Sequence, residues 1–255
     1  MNPLQRALVE KAGHDYGFEY VLASGPEGVT LASARHAARA QVSALPEGDY
    51  LLHLQAATPA LLPEMQRSFA HALHAGGFVA NNEAALAALL DRSASLARAL
   101  PSQAAQDFEA AVFHQLDQLP AGFAGTEVER LVRQRVGQQK FRAAMLDYWG
   151  GACAVTGLDL SAVLRASHAK PWAECANDAE RLDVFNGFLL IANLDALFDR
   201  FWISFDDTGE IVRSPALSGV ICDQLGLKPG MGLRWLSDAH RKYLAWHRKR
   251  LRQRR

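Results

Sequence analysis

Leu164-Arg165-Ala166-Ser167-His168-Ala169-Lys170-Pro171-Trp172, then Asp183-Val184-Phe185-Asn186-Gly187-Phe188-Leu189-Leu190 and Leu194-Asp195-Ala196-Leu197-Phe198-Asp199-Arg200, decide how this chain is to be read. The first segment is an apolar run ending on a histidine, and Pro171 biases Lys170 towards an extended conformation. In the second, Asn186-Gly187 stands between apolar runs, the signature of a type I′ hairpin turn, because both residues tolerate positive φ. Beyond it Leu190, Leu194, Leu197 and Phe198 recur at intervals of three and four, so strand gives way to a short helix. Asp195 and Asp199 share one face of that helix. The expected order is a strand ending in His168, a hairpin holding Asn186, and a helix carrying two carboxylates.

This order resembles the HNH endonuclease family, whose fold is the ββα-metal arrangement. The likeness is to the subgroup in which CxxTG precedes an apolar segment ending in Ser-His or Ala-His before Pro-Trp, followed by NGxLL and LDxLFD. Those motifs stand here as Cys153-Ala154-Val155-Thr156-Gly157, Ser167-His168, Pro171-Trp172, Asn186-Gly187-Phe188-Leu189-Leu190 and Leu194-Asp195-Ala196-Leu197-Phe198-Asp199. The resemblance covers roughly residues 126 to 215 and does not cover the first 125.

It implies a DNA endonuclease of the restriction or defence kind, with His168 as general base and Asn186 holding the loop that orients it. Where the family often has its last histidine this chain has Asp195, a hard oxygen ligand that points to Mg²⁺ or Mn²⁺ rather than zinc. Asp199, one turn on, is the second expected ligand and is equally placed to pair with Arg200 or Arg165. Many relatives carry Asp or His directly before the base, where this chain has Ser167. That departure leaves two readings. Either the cation is held weakly by Asp195, Asp199 and the DNA phosphate, or the chain is a catalytically weak or inactive DNA-binding protein that keeps the HNH fold. A third reading treats these motifs as scaffold alone.

The chemistry explains the residue types. Hydrolysing a phosphodiester requires a nucleophile made from water and shielding of the charge that grows on the phosphoryl oxygens. An imidazole near its ordinary pKa of about 6.5 takes a proton from water at neutral pH, help worth about 10²–10⁴-fold in rate. A divalent cation supplies Lewis-acid stabilisation of several kcal/mol.

At 255 residues and 49% hydrophobic content the chain has room for one large or two modest domains. No apolar run reaches the roughly eighteen residues of a membrane span, and the N-terminus lacks a secretory pattern, so a cytoplasmic location is expected. Cys153, Cys175 and Cys222 are odd in number and form no CxxC, which argues against a disulfide frame or a tetrahedral zinc site. The zero net charge hides an asymmetry. Through Gly125 there are 7 Lys/Arg against 12 Asp/Glu, a net of 7 − 12 = −5, and the remainder carries +5. A basic second half suits a polyphosphate partner.

The organisation expected is α+β throughout: an N-terminal α+β domain over 1–120, then a ββα-metal nuclease domain with flanking helices over 126–255. Asn2 and Pro3 open a helix that Gly13 ends. Strands follow at 18–23, 29–32, 40–45 and 50–55, and helices at about 59–75, 83–100 and 102–119. The stretch 33–39 leans towards helix. His71 and His74 would share a helix face with Glu64, a spacing a metal can use, though surface histidines are the plainer reading. Target choice, scaffolding and dimerisation all remain open for this domain, and a homodimer with them.

Leu119 to Gly125 reads as the linker, and Thr126 with Glu129 as a capping box. Two helices divided at Gly137 then carry Arg133, Arg135, Lys140 and Arg142, which with Lys170 are the expected DNA contacts; a solvated helix face is the alternative. The chain closes on a helix running into a basic tail that would attract DNA without regard to sequence.

Overall fold

Asn2 accepts a hydrogen bond from the Gln5 amide at 2.9 Å while the Gln5 side chain accepts one from the Asn2 amide, and this reciprocal cap opens α1 (Pro3–Asp15). The computed structural model divides into two units, Met1–Gln103 and Ala104–Arg255. Described are all residues except Ala57, Ala75, Ser102, residues 119–124, Arg254 and Arg255, together with the backbone alone of 103–106, 252 and 253. The linker expected over 119–125 lies outside the described residues but for Gly125.

In the first unit six antiparallel strands form one sheet: β1 (Tyr20–Gly25), β2 (Gly28–Ala32), β3 (Arg39–Ala44), β4 (Tyr50–Gln55), and beyond α2 (Leu61–Ser68) β5 (Leu73–His74) and β6 (Gly77–Ala80), in the order β1-β2-β3-β4-β6-β5. Alternation sets its buried face, which carries Val29, Leu31, Ala40, Val42, Tyr50 and Leu52. Helix α1 and α3 (Glu83–Ala99) pack against this sheet. Three expectations change here. The helix expected over 59–75 is only α2, followed by a 3₁₀ turn at Ala70–Ala72 and the strand pair β5–β6. Residues 33–38 are irregular, and Arg39 begins β3. Helix α1 runs through Gly13 to Asp15.

The second unit starts with α4 (Gln103–Asp117), whose Phe108 and Val112 join Val136 and Leu182 in one buried cluster. That packing assigns this helix to the second unit although its sequence precedes the expected linker. Helix α5 (Thr126–Trp149) is continuous, against the expected division at Gly137. Gly137 does not break the helix; it is the point where the Trp172 ring lies so close to α5 that no Cβ could be accommodated. The Thr126 capping box does not form, because Gly125 is the cap residue and no side chain serves there.

Strand β7 (Leu164–His168) pairs antiparallel with β8 (Gly187–Ile191), after the short helix α6 (Asp178–Leu182), in a register that sets Leu164 opposite Ile191 and His168 opposite Gly187. Asn186-Gly187 is therefore no type I′ turn. Val184–Asn186 is a 3₁₀ turn capped by Asp183, and Gly187 has an extended φ of 179°. Gly187 is needed for close approach: a Cβ there would come within 2.7 Å of the Phe141 ring. Helix α7 (Ala192–Asp199) packs back on the β7–β8 pair and completes a strand–strand–helix unit.

Beyond it come β9 (Ile203–Phe205), β10 (Ile211–Arg213), α8 (Gly219–Gln224) and α9 (Asp238–Gln253). Helix α9 buries His240, Tyr243, Leu244, His247 and Leu251, a spacing of three and four that lays one face against the core. Its basic side chains are largely spoken for: Arg248 reaches the Phe205 carbonyl and Asp207, and Arg250 reaches Glu174. The segment expected to be a basic arm is thus a packing helix as far as Gln253. Among the described residues no helix is long and apolar enough to cross a membrane.

Candidate active site

The apolar run 164–168 becomes a strand because it is sandwiched between α5 and α7, and its last residue, His168, is stacked on Phe141 at 3.7 Å between ring centroids and 16° between planes. The Trp172 ring meets it edge-on at 6.0 Å. His168 Nε2 lies 2.9 Å from the Arg181 carbonyl oxygen. A carbonyl can only accept, so the proton sits on Nε2 and Nδ1 carries the lone pair. Among the described residues Nδ1 has no hydrogen-bond partner, and it is not one of the buried polar atoms sealed from solvent. Burial lowers the pKa of this imidazole to about 4, against the upward pull of the Arg181 carbonyl and of the Asp199 charge. At neutral pH the ring is an unprotonated acceptor.

Asn186 is completely buried. Its Oδ1 accepts from the Lys170 amide at 2.8 Å, and its Nδ2 donates to the Lys170 and Glu180 carbonyls at 3.2 and 3.1 Å. The side chain fastens both ends of the 169–186 loop, and Glu180 directly precedes the residue whose carbonyl holds His168.

Asp195 and Asp199 lie on α7 as the spacing requires, the first half-buried and the second exposed. Burial raises the Asp195 carboxyl, the nearby Ser167 hydroxyl lowers it, and the Asp199 charge raises it further, with Arg165 and Arg200 acting the other way. Asp199 acts on both Asp195 and His168, so the ring and the two carboxylates share one electrostatic neighbourhood. The Ser167 hydroxyl is buried without a well-formed hydrogen bond among the described residues. A buried hydroxyl beside Asp195, with Asp199 one turn on, fits a hard divalent cation, which needs only one or two carboxylates when water and substrate oxygens complete its shell. No group of three or more His, Cys, Asp and Glu able to enclose a metal occurs among the described residues, His168 with Asp195 and Asp199 included, which disfavours a closed zinc-type site.

The expected DNA contacts divide. Arg133 is held by Glu109 at 2.6 Å and Asp178 at 2.7 Å, which raise its pKa further. Arg142 donates to the Leu164 and Ser161 carbonyls. Lys170 pairs with Glu180 at 2.9 Å. Arg135 is exposed and Lys140 partly so, and neither has an ion pair among the described residues. A groove of about 380 Å³ lined by Arg130, Arg133, Gln134, Trp172, Asp178 and Arg181 opens on the far edge of the Trp172 ring.

The structure adds participants that the sequence did not flag. Phe141 reads as an ordinary core residue, and Arg181 contributes a backbone carbonyl, for which no side-chain pattern exists. In the first unit Glu64 is buried and paired with Arg67, while His71 lies in the 3₁₀ turn and His74 in β5, so the three share no helix face. Both histidines line a surface cleft of about 810 Å³.

A family profile described as HNH endonuclease matches residues 153–206, the span from the Cys153 turn through α7 to the end of β9. No curated protein matches the chain. Residues 153–206, which hold the β7–β8–α7 segment, are therefore an HNH endonuclease-like region of this chain.

Proposed function

We propose that this chain is a metal-dependent DNA endonuclease in which His168 is the general base, Asn186 fixes the loop that orients it, and Asp195 with Asp199 holds Mg²⁺ or Mn²⁺. The observation that carries this reading is the state of the His168 ring: Nε2 is tied to the Arg181 carbonyl at 2.9 Å while Nδ1 is left open. An imidazole so held accepts a proton from a water lying in the plane of its ring. The Ser167 hydroxyl and the α7 carboxylates face the same neighbourhood, and a cation bound there would shield charge on the phosphoryl oxygens and the leaving oxygen. The Trp172 ring meets the imidazole edge-on. Arg135 and Lys140 supply the free positive charge on α5 for a DNA backbone.

The restriction or defence setting rests on the family resemblance alone. A role for residues 1–103 in choosing the target rests on that unit having a sheet and a cleft of its own. Buried, unpaired Cys153, Cys175 and Cys222 suit a reducing, cytoplasmic setting.

One observation favours a second reading, a DNA-binding protein with a decayed centre: Ser167 stands beside only two carboxylates. One experiment separates them. Supercoiled plasmid is incubated with the full chain and Mg²⁺, Mn²⁺ or EDTA, next to Asp195→Asn. Nicking that needs the cation and falls about 100-fold or more in the variant supports the endonuclease. Retention of DNA with no nicking under any divalent ion supports the second reading.

A further inference from the structure

The open Nδ1 of His168 is useful only if the carbonyl behind the ring stays in place. That carbonyl belongs to Arg181, near the end of an 18-residue loop between β7 and β8, and long loops wander unless tied down. Asn186 ties the backbone. A second set of ties is made by side chains. The Glu180 carboxylate receives the Lys170 ammonium on both oxygens at 2.9 Å and the Ala176 amide at 2.6 Å. Lys170 and Glu180 are shielded, at 18% and 23% side-chain exposure. The Lys170 bond holds the Glu180 carboxyl below its usual range.

These contacts close a ring through space. His168 bonds to the Arg181 carbonyl, Arg181 follows Glu180, Glu180 grips Lys170, and Lys170 lies two residues from His168. Arg181 is also held by its own guanidinium, on the Trp172 and Cys175 carbonyls and Asp178, and opening the ring at its ion pair removes the side-chain tie between this segment and the residues that follow His168.

We infer that Lys170 and Glu180 are positioning residues for the His168 base, and that Lys170 acts through Glu180 rather than by gripping DNA. The inference rests on His168 being the base. A base displaced by about 1 Å loses on the order of 100-fold in rate without losing substrate affinity. Breaking the pair therefore lowers kcat and leaves KM unchanged, whereas a phosphate contact would do the reverse.

The test uses the full chain. Glu180→Gln and Lys170→Met each lower the kcat of plasmid nicking on the order of 10- to 100-fold, with KM for DNA and its salt dependence unchanged, and the exchanged pair Lys170→Glu with Glu180→Lys recovers most of the loss. The inference is overturned if Lys170→Met weakens DNA binding and lowers the salt slope by about one while Glu180→Gln leaves kcat intact. Should Glu180→Gln fail to fold on melting, Glu180→Asp keeps the charge and shortens the reach; an unchanged kcat there is equally fatal. An arm independent of cleavage reads the His168 Nε2–H by NMR. Its slowly exchanging signal in the parent is lost in Glu180→Gln and kept in Glu174→Gln, a surface control. If the signal persists in Glu180→Gln the inference fails, even in a parent that does not cut DNA; a parent that does not cut while the signal behaves as expected fails the endonuclease reading alone.

Discussion

His168 and His247 sit in nearly matching surroundings and differ at one ring nitrogen. Each imidazole is stacked on a phenylalanine, His168 on Phe141 at 3.7 Å and His247 on Phe198 at 3.9 Å. Each places Nε2 against a backbone carbonyl, Arg181 at 2.9 Å and Phe198 at 3.0 Å, and burial lowers the pKa of each to about 4. They part at the other nitrogen. Nδ1 of His247 meets the Ser204 hydroxyl at 2.9 Å inside a fully buried ring, whereas Nδ1 of His168 is open. Stacking and a depressed pKa therefore do not mark a reactive histidine, since His36 in the first unit is also buried and also lowered. What sets His168 apart is the accessible second nitrogen, together with the charge of Asp199 acting on the ring.

The widest separation expected between the two rings is in rate. His168→Ala lowers cleavage about 10²–10⁴-fold with little change in melting temperature, read by single-turnover nicking alongside calorimetry. Asp199→Asn comes next. It removes a carboxylate felt by both His168 and Asp195, so the Mg²⁺ concentration for half-maximal nicking rises at least about tenfold. His247→Ala inverts the pattern: it strands the Ser204 hydroxyl, takes one of its donors from the Phe198 carbonyl and opens a cavity, costing about 2–4 kcal/mol in urea unfolding, while the folded fraction still cuts.

The pH dependence sharpens the same contrast. With a folded pKa near 4 against 6.5 unfolded, each ring binds fewer protons folded than unfolded between those values. Stability is then fully present above pH 6.5 and is lost as pH falls towards 4, on the order of 3 kcal/mol for His247, and His247→Gln flattens that part of the curve. The smallest effects belong to the outer surface: Lys140→Ala and Arg135→Ala each weaken DNA binding a few-fold and each lower the salt slope by about one.

Much of this site could be read in the chain because it is local. The apolar run to His168, the aspartates four apart and the recurring leucines are patterns of neighbouring residues, and β7, β8 and α7 form where those patterns stand. The errors came where a distant contact overrides local preference. Asn186-Gly187 has turn chemistry, yet Asn186 is drawn inside by the backbone groups of Lys170 and Glu180, and Gly187 is demanded by the Ser167 carbonyl and the Phe141 ring rather than by a positive φ. Gly137 has helix-ending chemistry, yet the helix runs through it, and the missing side chain makes room for the Trp172 ring. The basic residues of 126–142 and of the tail from Arg248 read as DNA contacts by charge, but Glu109 and Asp178 claim Arg133, Asp207 claims Arg248 and Glu174 claims Arg250.

The most direct trial of His168 as the base is chemical rescue: single-turnover nicking by His168→Gly with and without added imidazole, alongside Asp195→Asn. A rate that is nearly abolished in His168→Gly, climbs with imidazole, and stays flat with imidazole in Asp195→Asn is the expected result. A His168→Gly chain that nicks DNA as fast as its parent would contradict it.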